Sequence, residues 1–309
     1  MITVLLGPQR FKPTLARALA EQSVTGRVAT ITAGWQERES DDTDLDRHLE
    51  GRAVNLRLHA RGEEVFAADP ELKEAHRLKQ ERLMLVQEFY RLRAEALLET
   101  AQKLATRAPD AELLAEEQQQ SIEHLRELDR RHLERVRAVN AELAGRMSMV
   151  ERPSVARHRR ELAAIIEECD AVAIAGGHVA VLLNRLKLFD VAGLIGGRPL
   201  FAWAAGAMAV TDRVILFHDT PPQGRGVSQV LDEGLGLAPG VVALPSPRQR
   251  LRLDDHERVG WMARRYAPAL CVALDDGARV TYETGVGWGR AQATLRLDAG
   301  GDIDTGWAA

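Results

Sequence analysis

The sequence predicts an α/β protein in which a mostly parallel, helix-flanked sheet is interrupted by a long antiparallel helical hairpin. First, an apolar run at 2–6, a helical pattern at 13–22 and a second apolar run at 28–34 form a βαβ unit. Second, short apolar runs of the same kind return after residue 150. Third, the segments 71–107 and 118–147 carry apolar residues at helical spacing, and neither glycine nor proline appears between Glu71 and Pro109.

The composition is that of an ordinary globular protein and favours no charged partner. The chain has 309 residues, of which 45% are hydrophobic and 28% charged, so it can form two structural units. Its net charge of -4 predicts neither a nucleic-acid partner nor a membrane surface. The two cysteines, Cys169 and Cys271, predict buried inert thiols and neither a disulfide framework nor a zinc site. We also expect no cofactor.

The N-terminus and the apolar runs bear on location. Residues 1–7 lack a basic region and a cleavage site, which predicts a first strand and not a signal peptide. No apolar run reaches the roughly 20 residues that span a bilayer. We therefore expect a cytoplasmic protein.

Two segments after the second strand are expected to be peripheral. Residues 35–39 would follow its carboxyl end, where open α/β sheets place ligand crevices, but a solvated connection is the favoured interpretation. Residues 54–58 alternate apolar and polar side chains, which predicts an edge strand.

The hairpin is predicted as an insertion over residues 62–150, between the two parts of an α/β domain at 1–61 and 151–309. Asp69, Pro70 and Glu71 form a strong helix start, and a short link around Pro109 and Asp110 would return the chain. Arginines and glutamates interleave on both helices, which favours a salt-bridged face over a phosphate-binding one. His124 and His132 are expected at the surface or in the seam and not at a metal. The hairpin is also a candidate surface for homodimerisation.

The remaining elements are predicted from short local patterns. A helix should open at Pro153, and strands should occupy 171–175, 213–217 and 241–244. The last strands are expected at 270–274, 279–282 and 291–297. Asp275, Asp276 and Gly277 predict a hairpin turn between the first two of these.

The segment from Leu200 to Ala207 has the build of a nucleophile elbow. An apolar strand, 200–203, is followed at once by a helix-compatible run that begins Ala-Ala-Gly-Ala. In such an elbow one residue occupies a strained tip, with its side chain exposed above the sheet. That residue is Ala204 here, and alanine carries no nucleophile.

Three segments resemble the dipeptidase E and cyanophycinase family of serine peptidases, which has a class I glutamine amidotransferase-like fold. Residues 201–207, F-A-W-A-A-G-A, resemble the family's G-W-S-A-G-A elbow. Residues 173–183 are similar to its strand, Gly-Gly-Asn turn and following helix, and residues 234–242 resemble its G-L-G-L-L-P-G-V-I segment. The resemblance implies a flavodoxin-like sheet, with backbone N–H groups of the glycine turn directed at an oxyanion.

The resemblance also implies that two catalytic positions are substituted. Ala204 stands where the family has its serine, and Ser246 stands where it has its histidine. The rest of the pocket is implied to persist. It comprises Gly176, Gly177, His178, Trp203, Ala205, Gln249, Arg250 and Arg252.

Three functions remain open at this point. The favoured one is a catalytically inactive relative that binds a small ligand or peptide in the cleft, or a protein partner. An active peptidase or amide hydrolase is the alternative. It would use His178 or His218 with Asp219 as surrogate base and acid, and Ser246 or Ser228 as nucleophile. A third possibility is that the hairpin serves oligomerisation or an adaptor role.

Overall fold

A computed structural model describes residues 1–105, 111–218 and 228–304. Its strands are β1 (Ile2–Leu6), β2 (Val28–Ile31), β3 (Ala53–Asn55), β4 (Ala171–Ile174), β5 (Leu200–Trp203), β6 (Arg213–Leu216), β7 (Gln229–Glu233), β8 (Val241–Pro245), β9 (Leu270–Leu274), β10 (Arg279–Glu283), β11 (Gly287–Gln292), β12 (Leu295–Leu297) and β13 (Ile303–Asp304). Its helices are α1 (Leu15–Glu21), α2 (Thr43–His48), α3 (Leu58–Ala68), α4 (Pro70–Ala105), α5 (Ala111–Met147), α6 (Pro153–Glu167), α7 (Val179–Leu188), α8 (Val191–Ile195), α9 (Ala205–Ala209), α10 (Pro247–Arg250) and α11 (His256–Tyr266). Short 3-10 helices cover Ala33–Arg38 and Met149–Glu151.

The main sheet is mixed and mostly parallel. Within the described residues its strand order is β11-β10-β1-β5-β4-β2-β3, and the strands from β1 to β3 in that order run parallel. At the start of the order, β10 pairs antiparallel with both β1 and β11. Leu6 lies opposite Trp203, and Ile174 lies opposite Ala202. The carboxyl ends of β1, β4 and β5 therefore meet at one edge of the sheet.

The predicted α/β architecture is confirmed, because the sheet is mostly parallel and carries helices and a long helix pair. Alternate residues of the strands divide between two cores. Leu6, Phe201 and Trp203 pack with Leu15 and Leu19 of α1 on one face. The other face packs against α6, α7 and α9.

The predicted hairpin turn at 275–277 is wrong as a strand connection. The turn itself forms, because Gly277 has a φ of 80° and the Ala278 N–H donates to Asp275 O at 2.9 Å. However, β9 and β10 do not pair with each other. β9 joins β8 and β12 in a second sheet, whereas β10 pairs with β1. A turn signal fixes the local backbone and leaves the partner of each strand open.

The strand prediction at 291–297 also needs correction. The run is divided, since β11 ends at Gln292, Ala293 has a φ of 48° and β12 begins at Leu295. The strand predicted at 213–217 is present as β6, which lies outside the main sheet and pairs antiparallel with β7. No strand was predicted at the position of β7.

The expected edge strand at 54–58 is shorter than predicted, and its neighbour explains why. β3 lies at the sheet edge but ends at Asn55, and α3 begins at Leu58. The Glu39 carboxylate accepts the N–H groups of His59 and Ala60, each at 2.9 Å, and so starts the helix. Glu39 is buried, which shows that the connection at 35–39 is not merely solvated. Helix α3 also crosses the domain boundary predicted at residue 62.

Helices α4 and α5 form the predicted antiparallel pair, and α5 begins at Ala111 instead of 118. The link around Pro109 and Asp110 lies outside the described residues. Exposed arginines pair with glutamates on the same helix, as at Arg77 with Glu74 and Arg130 with Glu127. His124 is exposed, whereas His132 is buried and stacks on Tyr90 at 4.1 Å between ring centroids. Burial lowers the pKa of His132.

A buried ionic network fastens this helix pair to the rest of the chain. Arg265 of α11 donates to both carboxylate oxygens of Asp129 on α5, at 2.7 and 2.8 Å. The Tyr90 hydroxyl of α4 donates to Asp129 at 2.7 Å and accepts the Val230 N–H of β7 at 3.0 Å. Both charged side chains are 3% exposed. The two helices α4 and α5 are therefore packed against β7 and α11 through buried contacts.

None of the helices in the described ranges has an apolar stretch long enough to cross a bilayer.

Candidate functional site

The junction of β5 and α9 is a sharp strand-to-helix bend. Ala204 lies between them with φ 51° and ψ -123°. Backbone of this kind is sparsely populated by residues with a side chain and costs about 1–3 kcal/mol. The strained residue that the sequence predicts at this position is therefore present, and its side chain is a methyl group.

Glycines on both sides make the bend possible. A Cβ added to Gly206 would lie 2.3 Å from Ile174 O, so only glycine lets the start of α9 pack on the end of β4. A Cβ added to Gly176 would lie 2.6 Å from the Ala204 Cβ. The backbone of the glycine turn therefore approaches the tip of the bend directly.

The glycine turn after β4 is held by a second backbone contact. Gly177 has a φ of 110°, and a Cβ there would lie 2.3 Å from Gly34 O. The next N–H, of His178, donates to Gly34 O at 2.7 Å. His178 Nδ1 accepts the Val181 N–H at 3.3 Å and caps α7. His178 is thus a structural cap in this conformation.

A cleft of about 530 Å³ opens above the bend. Its floor is formed by Ala204, Ala205 and Gly177, with Met208 beside them. The opposite wall comes from the ends of β6 and β8 and from the start of β7. It contributes the polar side chains of His218, Gln229, Ser246 and Arg250. The volume is in the range that holds a small molecule.

The structure brings together only part of the residue set predicted from the sequence. Gly177, Ala204, Ala205, His218, Ser246 and Arg250 line the cleft. Gly176 is buried beneath it, against Ala204. Gln249 is exposed on α10, and Arg252 pairs with Asp255 at 3.1 Å, so neither is part of the lining.

Three further predictions have different outcomes. Trp203 packs in the core below α1, on the other face of the sheet, because adjacent residues of a strand point to opposite faces. Ser228 accepts hydrogen bonds from Arg265 at its carbonyl and its hydroxyl, at 2.9 and 3.3 Å, and does not line the cleft. Asp219 lies outside the described residues.

Sequence reasoning missed the wall formed by Phe217 and Gln229. Phe217 precedes His218, and the Arg250 guanidinium lies 5.7 Å from the centre of its ring. Gln229 accepts a hydrogen bond from Gln87 of α4 at 3.1 Å, which connects the helix pair to the cleft. No motif surrounds Gln229 in the sequence, and the contact with Gln87 spans 142 residues. Only the tertiary structure reveals it.

The cleft combines a cationic group with few reactive ones. Within the described residues, Arg250 makes no ion pair, so its charge is available to a ligand. Among the described lining residues, Ser246 carries the one hydroxyl, and none carries a thiol. Ser246 occupies the start of α10 with φ 52° and ψ 49°. No cluster of candidate metal ligands occurs in the described part of the chain.

Both cysteines are buried and lie away from the cleft. Burial raises the pKa of Cys169, and it raises the pKa of Cys271 to about 12. A thiol with a raised pKa is a poor nucleophile.

Comparison with solved structures finds chains of similar fold. The crystal structure of a peptidase from an acI-B1 Actinobacterium is similar over 96% of this chain and 91% of that chain, at 12% identity and a TM-score of 0.46. No family model and no curated protein matches the sequence. At this identity and TM-score the likeness carries no statement about activity.

Proposed function

We propose that this chain is a non-hydrolytic relative of the dipeptidase E and cyanophycinase type of serine peptidase, and that it binds a small ligand or peptide in the cleft above Ala204. The observation that carries the proposal is the bend itself. It has the strained backbone of a nucleophile elbow but presents a methyl group. Acyl transfer needs a nucleophile, a base and oxyanion donors in one place, and the first of these is missing at the tip.

The remaining groups suit recognition of an anionic or carbonyl oxygen. The first N–H groups of a helix have no acceptor within the helix, and Ala205 begins α9 at the cleft floor. Arg250 supplies a cation on the opposite wall. Arginine binds carboxylates through charge-assisted hydrogen bonds. We therefore propose a ligand that carries a carboxylate.

An active hydrolase is the second candidate, because Ser246 and His218 both line the cleft. Ser246 would then serve as the nucleophile and His218 as the base. This candidate requires a catalytic pair on the wall opposite Ala204, so the strained bend would not position its nucleophile.

A serine-directed fluorophosphonate probe separates the two candidates. We expect no labelling of the wild-type chain. Labelling that is lost in Ser246→Ala but kept in Ser228→Ala, the control away from the cleft, would establish the hydrolase and exclude our proposal.

Binding is tested with an acetylated dipeptide that has a free carboxylate and with its C-terminal amide, by titration calorimetry. We expect the free acid to bind more tightly than the amide. Arg250→Gln should abolish that preference, whereas Arg252→Gln, a nearby exposed arginine outside the lining, should leave it intact. Equal binding of acid and amide by the wild-type chain would contradict the proposed ligand class.

A further inference from the structure

Helix α4 carries an apolar stripe that faces solvent. Leu78, Leu85 and Leu92 are each 52% exposed, and Phe89 is 55% exposed. These residues are spaced by seven, four and three, so at about 100° per residue they fall within a sector of roughly 60°. The stripe lies opposite Leu72, Tyr90 and Ala94, which are buried against the rest of the chain. We call Leu78, Leu85, Phe89 and Leu92 the α4 stripe.

This arrangement is unusual for a helix whose other face is already packed. A surface helix normally turns polar residues to solvent and buries one apolar stripe. Helix α4 has two apolar stripes, one buried and one exposed. A contiguous exposed apolar patch of this kind marks an interaction surface.

We propose that the α4 stripe is covered by the α4 helix of a second copy of this chain, in a two-fold symmetric dimer with the two helices parallel. The stripe matches the seam of a coiled coil. If Leu78, Leu85 and Leu92 occupy d positions of successive heptads, Phe89 occupies an a position. Arg82, at the preceding a position, forms an ion pair with Glu142 of α5 and is thereby held beside the seam.

The charges that flank the stripe support a parallel second copy. In this heptad frame Glu88 is a g residue and Arg93 is the following e residue. In a parallel dimer a g residue of one helix lies beside the following e residue of the other helix, where opposite charges can pair. Both are exposed, and neither forms an ion pair within the described residues. Their neighbours are paired within the chain, as Arg91 is with Glu95. Two-fold symmetry would bring each Glu88 to Arg93 of the other copy.

An antiparallel arrangement fits less well. It would place the g side of one helix beside the g side of the other, and that side carries Glu74, Glu81, Glu88 and Glu95. Like charges that face each other destabilise the pair.

The α4 stripe occupies the middle of a long helix. α4 has 36 residues and is about 54 Å long at 1.5 Å per residue. The stripe runs from Leu78 to Leu92, about 22 Å, so with a width of about 10–12 Å it covers about 250 Å² per copy, or about 500 Å² in the pair. A specific interface buries at least about 1,200 Å², so the flanking residues along the rest of the outer face of α4 must also take part.

Sedimentation velocity of the full chain tests the dimer. We expect the wild type at twice its 34.1 kDa monomer mass. The double variant Leu85→Glu with Phe89→Glu should sediment as a monomer with an unchanged circular dichroism spectrum. Met84→Glu is the matched control, because Met84 is 71% exposed on the same helix but lies about 100° around it from Leu85. It should remain dimeric.

Charge exchange tests the orientation. Glu88→Arg and Arg93→Glu should each weaken the dimer about tenfold, since each replaces two attractive pairs by two repulsive ones. The variant with both changes should recover the wild-type affinity, and a mixture of the two single variants should form heterodimers. A wild-type chain that stays at monomer mass, or a dimer that survives the Leu85 and Phe89 changes, would refute the second copy as occupant. A dimer without charge rescue would refute the parallel arrangement.

Discussion

Asp129→Asn should be the most damaging conservative change in the helix pair. Asparagine keeps the size and most of the hydrogen-bonding atoms of aspartate but removes its charge. Arg265 would then keep a positive charge in a site where only 3% of its side chain is exposed. It would retain the Ser228 carbonyl and the Tyr90 hydroxyl as acceptors, and neither of these carries a charge.

The expected loss follows from the burial of the pair. Removing one partner of a buried ion pair typically costs about 3–5 kcal/mol, because the remaining charge is left uncompensated. We therefore expect the free energy of unfolding to fall by that amount. Glu142→Gln is the matched control on the same helix. Glu142 pairs with Arg82 and with Arg146 at the surface, and these three side chains are 36%, 60% and 75% exposed, so its loss should cost less than about 1 kcal/mol.

Urea unfolding followed by circular dichroism measures both variants. A third variant, Asp129→Leu with Arg265→Met, removes both charges and should be more stable than Asp129→Asn, since apolar replacement leaves no buried charge. The reasoning is refuted if Asp129→Asn costs no more than Glu142→Gln, or if the double apolar variant is the least stable of the three.

Three further outcomes are expected. Gly206→Ala should lower the melting temperature strongly because its Cβ would lie 2.3 Å from Ile174 O, whereas Gly145→Ala, where nothing lies within 4 Å, should raise stability by up to about 1 kcal/mol. Burial lowers the pKa of His76 from 6.5 to about 4 in the folded chain. As the pH drops between these values, the unfolded chain takes up a proton that the folded chain does not, so the free energy of unfolding should fall. Denaturation curves of His76→Gln should show a weaker dependence on pH in this range. Cys271, with its pKa raised to about 12, should resist iodoacetamide in the folded chain at mildly alkaline pH and react after unfolding in urea, as mass spectrometry would show.

The elements that could be predicted are those with a local cause. The first strand, the first helix and the second strand follow from two apolar runs with a helical pattern between them, and the structure has them as β1, α1 and β2. The bend at Ala204 was also accessible, because a strand that runs directly into a small-residue helix leaves the chain one sharp turn in which to change direction. Helix α4 begins at Pro70, beside its predicted start.

What could not be predicted depends on pairing between distant residues. Leu5 of β1 pairs with Val280 of β10, and no signal near either residue specifies the other. The second wall of the cleft depends on the same kind of contact, since Gln229 belongs to β7, which pairs with β6 outside the main sheet. The sequence therefore indicated the floor of the site and three polar residues of its opposite wall, His218, Ser246 and Arg250, and missed Phe217 and Gln229.

The conformation of the bend does not depend on the side chain at its tip. The conformation at Ala204 is imposed by Gly206 against β4 and by Gly176 beneath the tip, and none of these contacts involves a side-chain hydroxyl. Loss of a nucleophile at this position would therefore leave the floor of the cleft in place, together with the N–H groups at the start of α9. The wall that carries Arg250 belongs to separate elements, β8 and α10. Under the proposed function, the residue at the tip and the wall that binds the ligand therefore belong to different parts of the chain, and a substitution at the tip leaves that wall in place.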